Sequence, residues 1–280
     1  MTEDWQAWVG RTDLSADTVS PRAARQMLAT LDTVSAPAPL ADGDPLPPLW
    51  HWLAWQPEAP QAGLGPDGQP ARGGFLPPVP LERRMWAGSR MEYLGPLHVG
   101  QAMERRSTIL KVSEKTGAAG QMVFVTLAHE ISGADGIAIR EEQDIVYIAM
   151  PEQFTPPVPT PLPETLAWQE AQEVGTVRLF RFSALTFNAH RIHFDLPYAT
   201  GVEKYPGLVV HGPLQAIMLM AAARRHRGGV WPRAFRFRGL RPAFHFDPLT
   251  LAAAPEAAGK QALMTATPEG AICCSAEVTW

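Results

Sequence analysis

Hydrophobic residues alternate with polar ones along three stretches in the first half of the chain. Alternation with a period of two is typical of strands that bury one face. The three predicted strands cover residues 102–113, 121–132 and 137–150. Turn-forming residues separate them, as in Gly133-Ala-Asp-Gly136, so consecutive strands are expected to pair antiparallel. The pattern therefore predicts an antiparallel meander.

A long apolar helix is the clearest prediction for the second half. Residues 212–227 are predominantly apolar, with Pro213 at their start and Gly228-Gly229 after them. Proline is favoured in the first turn of a helix and glycine just past its end, so both boundaries are marked. The other predicted elements are strands at residues 174–182, 233–240, 249–254, 260–267 and 271–279 and a turn at residues 188–198.

Helices are also predicted in the first half, although their pattern is less regular. Residues 1–30 are predicted to be helical, with a second helix start at Ser20, and residues 45–55 are predicted to begin a central helix. The Gly- and Pro-rich residues 57–80 are predicted to form a long loop. Each half is therefore expected to be a long helix wrapped by a curved antiparallel sheet, with the two sheets joined edge to edge.

A run of prolines divides the chain. The sequence contains 28 prolines, and six of them lie within residues 151–163. Neither a regular helix nor a central strand tolerates this density, and the polyproline conformation is stiff and extended. We therefore expect a linker at residues 151–164. It would separate a first half without a catalytic motif, residues 1–150, from a second half with the active site, residues 165–280.

Composition and charge exclude several classes of function. The chain is 46% hydrophobic and 19% charged, as soluble globular proteins are. Its net charge of −4 gives no general attraction for nucleic acid. No apolar run approaches the roughly 18 residues of a membrane span, and the N-terminal residues lack a signal-peptide pattern. The adjacent Cys273 and Cys274 are the only cysteines, which excludes a disulfide framework. A cytoplasmic location is expected.

The residues with the clearest catalytic potential lie between the linker and the long helix. His193 follows Asn188 by five positions. An imidazole can take a proton from water and return it, whereas the amide of Asn188 can only orient the water or the imidazole, or form an Asx turn. At the start of the helix, Gly212 leaves room for a backbone N–H to bind an oxyanion. Together these parts can add water to an activated carbonyl compound.

A metal site is a second interpretation of the same segment. His190, His193 and Asp195 lie close enough in sequence to suggest metal ligands. Three such ligands within six residues rarely converge on one ion, so no metal is expected. Asp195, which precedes Leu196-Pro197, is predicted to cap the following turn instead.

The sequence from Phe182 to His193, Phe-Ser-Ala-Leu-Thr-Phe-Asn-Ala-His-Arg-Ile-His, resembles the MaoC-like, or (R)-specific hydratase, branch of the hotdog superfamily. The branch signature is Asp-x-Asn-Pro-(Leu/Ile/Val)-His, five residues, then a small residue. Matching positions are Ile192, His193 and Ala199, whereas Asn188, His190 and Arg191 depart from the signature. The variant looks like that of the type 2 hydroxyacyl-thioester dehydratases and of the mesaconyl-CoA and itaconyl-CoA hydratases, over roughly residues 180 to 245.

This resemblance implies an α+β double hotdog fold and a hydro-lyase. The enzyme would add water reversibly to an α,β-unsaturated acyl-CoA, most simply mesaconyl- or itaconyl-CoA to give citramalyl-CoA. The implied catalytic residues are His193, Asn188 and Gly212. The implied substrate-binding residues are Arg191, His190, His211, Pro213, Leu214, Tyr205 and Arg238. No cofactor is expected beyond the coenzyme A of the substrate, and a monomer or homodimer is expected.

Several alternatives remain open at the level of the sequence. Arg191 could bind a substrate carboxylate, with Lys204 as a second candidate, or could be a surface cation. Leu214 could equally be a core residue, and Arg238 a solvated strand residue. The enzyme could instead be a 3-hydroxyacyl-ACP dehydratase. A hotdog thioesterase is disfavoured because position 188 is not acidic. A catalytically degenerate binding subunit is disfavoured because His193 and the Gly212-Pro213 helix start are retained.

Overall fold

The computed structural model describes residues 4–31, 40–117 and 120–280, and its strands form one sheet. The ten strands are β1 (Thr12–Asp17), β2 (Arg83–Tyr93), β3 (Met103–Gly117), β4 (Gly120–Gly133), β5 (Gly136–Ile148), β6 (Trp168–Gln172), β7 (Ala234–Gly239), β8 (Leu249–Ala253), β9 (Lys260–Ala266) and β10 (Ile272–Thr279). The helices in the described ranges are α1 (Pro21–Leu31), α2 (Thr176–Leu185), α3 (Leu196–Gly201) and α4 (Gly212–His226), with 3₁₀ helices at Trp5–Trp8, Trp50–Leu53, Gln61–Gly63 and Arg191–His193.

The sheet joins the two halves of the chain through one strand pair. Its order is β1-β3-β4-β5-β2-β7-β10-β9-β8-β6, and each neighbouring pair is antiparallel. Strands β2 and β7 meet in the middle, where Gly88 pairs with Arg238. A Cβ atom at Gly88 would lie 2.3 Å from the carbonyl oxygen of Phe237, so only glycine fits there. The prediction of two sheets joined edge to edge is confirmed.

Helix α4 fills the concave face of the second-half sheet. It begins at Gly212 with Pro213 in its first turn, and Gly228 (φ +68°) and Gly229 (φ +85°) follow its end. Residues are buried along almost its whole length, including the polar Gln215, which is hydrogen-bonded to Val210 and Thr265. The predicted long helix is therefore confirmed, with its end one residue earlier than expected.

The predicted strand at residues 174–182 is wrong, because this segment belongs to helix α2. Its Val and Phe residues have strand propensity, but burial follows a helical spacing. Leu179 and Phe182 are buried, whereas Val177 and Phe180 are 66% and 63% exposed. Packing against α1 decides the conformation. The helical prediction for residues 1–30 is likewise wrong in part, since Thr12–Asp17 pair with β3 as strand β1.

The first half lacks the long central helix that was predicted to begin at residues 45–55. Within the described residues, this position holds only the 3₁₀ helix Trp50–Leu53. Pro47 and Pro48 precede it and Pro57 follows it, so a helix cannot extend in either direction. The sheet face of β3, β4 and β5 that such a helix would cover therefore remains available to line a cavity.

Two further observations bear on the organisation of the chain. Residues 151–163 form no helix and no strand, apart from an isolated bridge between Pro161 and Ala271. The division of the chain into two halves and a linker stays a prediction. No helix in the described ranges has the length and apolar character needed to span a membrane.

Candidate active site

The segment with the hydratase-like motif forms a compact turn, which we call the motif turn (residues 188–195). It follows helix α2 after Phe187, whose φ is +47°. The side-chain oxygen of Asn188 accepts a hydrogen bond from the N–H of His190 at 3.0 Å, which is an Asx turn. Asp195 caps α3 by accepting a hydrogen bond from the N–H of Tyr198 at 3.1 Å, as its position predicts.

A loop of the first half holds the motif turn in place. The N–H of Arg191 donates to the carbonyl of Asp67 at 2.9 Å. Next to it, a Cβ atom at Gly68 (φ +85°) would lie 1.9 Å from the carbonyl oxygen of Ala189. Only glycine combines this backbone conformation with so close an approach. The geometry of the catalytic segment therefore depends on the first half of the chain.

His193 is buried and is kept neutral. Its Nδ1 lies 2.8 Å from the carbonyl oxygen of Val209. Since a carbonyl can only accept, Nδ1 carries the proton and Nε2 is left with its lone pair. Burial, reinforced by the nearby His190, lowers the pKa of His193 to about 3, although the bond to Val209 opposes the shift. The side chain is thus an unprotonated base at neutral pH.

His211 packs against His193 and is also neutral. The two rings are stacked with centroids 3.6 Å apart, and His211 Nε2 is hydrogen-bonded to the hydroxyl of Ser183 at 2.9 Å. Burial, followed by the charges of His193 and His190, holds the pKa of His211 well below its usual value. Its position at the N-cap of α4 disfavours a positive charge as well.

His190 belongs to a buried polar network between the two halves. Its Nε2 donates to Glu203 at 3.2 Å, and the other oxygen of Glu203 accepts from Arg83 Nε at 3.1 Å. The Arg83 guanidinium also lies over the ring of Tyr205, 4.5 Å from its centroid. Removing one partner of such a buried pair costs about 3–5 kcal/mol. His190 therefore positions the motif turn through Glu203, although it also lines the cavity described next.

The start of helix α4 provides the second chemical element. Pro213 has no N–H, so the N–H of Gly212 is the first donor at this end of the helix. A Cβ atom at Gly212 would meet only the ring of Phe237, at 4.0 Å. Packing therefore does not require glycine here, and the missing side chain leaves space beside the start of the helix, where Gly212 lines the cavity described next.

These residues share a cavity of about 1210 Å³ that is bounded by both halves of the chain. Its second-half wall includes Asn188, His190, His193, Tyr205, His211, Gly212 and Pro213. Its first-half wall includes Trp86, Arg105, His129 and Gln143. A second cavity of about 630 Å³ is lined by these same first-half residues, by Asn188 and Pro213, and by His51 and Glu141. The two cavities form adjoining parts of one site.

The first-half wall is polar and hydrogen-bonded. His129 is linked to Ser107 at 2.9 Å and to Gln143 at 3.1 Å, and its burial lowers its pKa. Glu141 lies 3.0 Å from His51. Burial would raise the pKa of Glu141, but its interactions with His51 dominate and lower it to about 2. Glu141 is therefore an anion at neutral pH, and His129 is neutral.

The cavity does not include every residue that the sequence suggested. The Arg191 guanidinium bonds Asp195 and the carbonyl of Pro66 and lies over the Tyr198 ring, so it is engaged outside the cavity lining. Leu214 is fully buried in the core. Arg238 is an exposed residue of β7, and the Lys204 ammonium donates to Gly201. The cavity lining therefore does not include Arg191, Leu214 or Arg238, and their contact with substrate stays a prediction.

The sequence interpretation missed the first-half wall. Its members Arg105, Ser107, His129, Glu141 and Gln143 occupy inward-facing strand positions. The alternation of the three strands predicts apolar residues there, so polar residues at these positions were a usable signal. Across the described ranges, no three His, Cys, Asp or Glu side chains gather as metal ligands.

Comparisons of sequence show the family of the chain. The family model described as hydroxyacyl-thioester dehydratase type 2 matches residues 49–245. The mesaconyl-C(4)-CoA hydratase of Chloroflexus aurantiacus is 45% identical over 280 residues, which cover 98% of this chain and 97% of that protein. The mitochondrial type 2 hydroxyacyl-thioester dehydratase of Schizosaccharomyces pombe is 27% identical over 241 residues, covering 74% of this chain and 77% of that protein.

Solved structures agree with the fold. A MaoC-like dehydratase from Phytophthora capsici superposes with a TM-score of 0.70 at 14% identity, covering 97% of this chain and 95% of that one. A Mycobacterium tuberculosis protein described as a double hotdog superposes with a TM-score of 0.58 at 13% identity, covering 97% and 96%. The predicted α+β double hotdog is confirmed, with the first-half helix reduced to one 3₁₀ turn.

Proposed function

Since this chain belongs to the hydroxyacyl-thioester dehydratase type 2 family and is therefore a hydro-lyase, we propose that it adds water reversibly to an α,β-unsaturated acyl-CoA. The observation that carries this proposal is the cavity shared by His193 and Gly212. One supplies an imidazole base that is neutral at physiological pH, and the other supplies a backbone donor at a helix N-terminus. Hydration of an enoyl thioester requires both.

The reaction follows from these two groups. The thioester oxygen accepts a hydrogen bond from the N–H of Gly212, which stabilises the negative charge of an enolate. His193 Nε2 takes a proton from water as the water oxygen bonds to Cβ. The imidazolium then delivers this proton to Cα, and the enolate returns to the thioester. The low pKa of His193 favours this delivery, whereas it makes the neutral imidazole a weaker base in the first proton transfer; dehydration is the reverse sequence.

Asn188 serves as the orienting residue. Its Oδ1 accepts from the N–H of His190, and its Nδ2 has no hydrogen-bond partner within the described residues. The amide can therefore donate to the attacking water while the backbone keeps it in one orientation. Because an amide cannot take a proton, His193 is the base in this proposal.

The proposed substrate is a small branched dicarboxylic thioester. The supporting observation is the 45% identity to the mesaconyl-C(4)-CoA hydratase over nearly the full length of both chains. In mesaconyl-C4-CoA, Cβ bears a methyl group and a free carboxylate. Addition of water at that carbon gives citramalyl-CoA. Itaconyl-CoA and crotonyl-CoA are the alternative substrates in the assay below.

One assay tests the activity. Purified protein is supplied separately with mesaconyl-C4-CoA, itaconyl-CoA and crotonyl-CoA, and both the loss of enoyl absorbance and the release of free thiol are followed. We expect loss of absorbance without thiol release. Thiol release would instead assign a thioesterase, and no change with any thioester would favour a binding subunit. In the proposed function, no cofactor is required, the location is cytoplasmic and the protein is a monomer or homodimer.

A further inference from the structure

One cation on the first-half wall has no hydrogen-bond acceptor and no ion-pair partner among the described residues. Arg105 lies on strand β3 and lines both parts of the cavity. Its Nε is shielded from solvent and makes no hydrogen bond. Within the described residues, the guanidinium has no ion pair and lies only over the ring of Trp55, 4.9 Å from its centroid. Arg105 is half-buried, and a guanidinium whose shielded Nε has no acceptor is unfavourable, so this group is suited to a ligand.

Two of the three acidic residues near Arg105 bond other groups. Burial lowers the pKa of Arg105, and the charges of Asp13, Glu141 and Asp17 oppose this shift. None of them forms a salt bridge with Arg105. Asp17 accepts from the N–H of Trp55 at 2.6 Å, and Glu141 is bonded to His51 and the Trp52 indole. These anions stabilise the cation at a distance and leave its donors without acceptors.

Other cations of the cavity wall have acceptors. Arg83 bonds Glu203, Arg84 bonds Gln69 and the carbonyl of Pro70, and Arg72 bonds two backbone carbonyls. Arg241 also has an unpaired buried Nε, but it lines only the larger cavity. Arg105 differs from Arg241 because it lines both parts of the site, as Asn188 and Pro213 do.

We infer that Arg105 binds the free carboxylate of a dicarboxylic acyl thioester. The inference rests on the proposed hydration reaction. A guanidinium presents paired donors that match a carboxylate, and partial burial strengthens the interaction. Neutral Gln143 and His129 lie beside Arg105 and add polarity without a competing charge. Pairing also reduces the repulsion between a carboxylate on Cβ and the oxygen that approaches this carbon.

The test uses two thioesters that differ by one group. Mesaconyl-C4-CoA and 3-methylcrotonyl-CoA have the same carbon skeleton around Cβ, where a carboxylate in one replaces a methyl group in the other. The second is measured as a substrate or, where turnover is slow, as a competitive inhibitor. We expect Arg105→Gln to lower kcat/KM for mesaconyl-C4-CoA about ten- to a hundredfold, as for one lost charge-assisted hydrogen-bond pair. Binding of 3-methylcrotonyl-CoA should change less than about threefold.

Two matched variants control for charge and position. Arg106→Gln removes the same charge from the next residue of β3, which faces outward, and should leave both thioesters unaffected. Arg241→Gln should affect both thioesters alike. If Arg105→Gln impairs folding, Arg105→Ala with added guanidinium ion provides a second measurement, since rescue confined to mesaconyl-C4-CoA supports the assignment.

The outcomes separate this inference from the proposed function. If wild-type protein hydrates no enoyl thioester, the proposed function fails. Equal losses on both thioesters with Arg105→Gln would assign Arg105 to structure or to the coenzyme A part of the substrate, and the inference would be wrong. Selective loss with Arg241→Gln, or wild-type hydration only of thioesters without a carboxylate, would overturn it as well.

Discussion

At the scale of the residue, the environment of His193 decides what its motif can do. The imidazole is buried, stacked on His211 and bonded through Nδ1 to Val209. Burial and the nearby His190 favour the neutral form, and the bond to Val209 keeps the proton on Nδ1, so Nε2 is free. In the resembling signature an aspartate occupies the position of Asn188, whereas here the amide carries no charge that would raise the basicity of His193. In the proposed reaction, the imidazole of His193 therefore carries out both proton transfers.

Replacing His193 by alanine should lower turnover by about 10²- to 10⁴-fold, because general acid–base catalysis is lost. Asn188→Ala should lower it less, because only an orienting hydrogen bond is removed. Steady-state rates with mesaconyl-C4-CoA measure both. Near-normal activity of His193→Ala together with loss in Asp195→Ala would identify Asp195 as the base and show that the motif alignment is wrong.

At the scale of the element, the contribution of the start of α4 to activity can be tested separately from its contribution to the stability of the protein. Gly212→Ala places a methyl group where its nearest neighbour would be at 4.0 Å, and the backbone there does not require glycine. We expect an unchanged or higher Tm but a loss of kcat/KM of at least about tenfold, since the methyl group crowds the proposed oxyanion donor. Thermal unfolding and steady-state kinetics on one sample give both values.

Gly68→Ala is the matched comparison for this prediction. Its Cβ would lie 1.9 Å from a backbone carbonyl at positive φ. Stability and activity should therefore fall together, by more than about 1 kcal/mol in unfolding free energy. If Gly212→Ala also loses stability, its glycine has a packing role and the effect on activity no longer identifies an oxyanion site.

The sequence predicted elements well where local signals and tertiary contacts agree. Helix α4 has both cap signals, and strands β3 to β5 have strong alternation with turn residues between them. Strand β2 was not predicted, because Gly88 weakens strand propensity and its role is a close approach to β7. Helix α2 was predicted as a strand because its Val and Phe residues have strand propensity. Its packing against α1 favours the helix instead.

The residues of the candidate site also fall into two groups, those that the sequence could identify and those that it could not. His193, Asn188 and Gly212 lie in contiguous motifs, so the sequence could identify them. The first-half wall comes from four separate strands, and Arg105 becomes distinctive only because its shielded Nε has no acceptor among the described residues. Arg191 illustrates the converse: its proximity to the motif suggested a carboxylate ligand, but Asp195, four residues later, already satisfies it. Such pairings depend on three-dimensional contacts.

At the scale of the whole molecule, buried histidines should link stability to pH. Burial lowers the pKa of His129, His193 and His211 in the folded state, whereas histidines of the unfolded chain titrate near about 6.5. Below that pH the unfolded state binds more protons, so the free energy of unfolding should fall as pH decreases, by up to about 1.4 kcal/mol per pH unit for each histidine.

Urea unfolding at pH 7.5 and at pH 5.0 measures this dependence. The free energy of unfolding should be lower at pH 5.0, and His129→Gln should show a smaller difference between the two conditions. His226→Gln, which replaces a more exposed histidine, should retain the wild-type difference. Equal stability of wild-type protein at the two pH values would show that the three buried histidines are protonated in the folded state.

The pairing of β2 with β7, which joins the two halves of one chain, also affects how substitutions can change the site. In an assembly of two identical subunits, a two-fold axis repeats every side chain, so a residue added to one wall of an interface site appears on the other. Here the two walls are encoded by different parts of one chain. Their asymmetry allows the imidazole base to stand on one wall and the guanidinium on the other. A substitution on the wall that carries the guanidinium can therefore change which acyl group binds. No second copy of the changed residue then lies beside the reacting atoms.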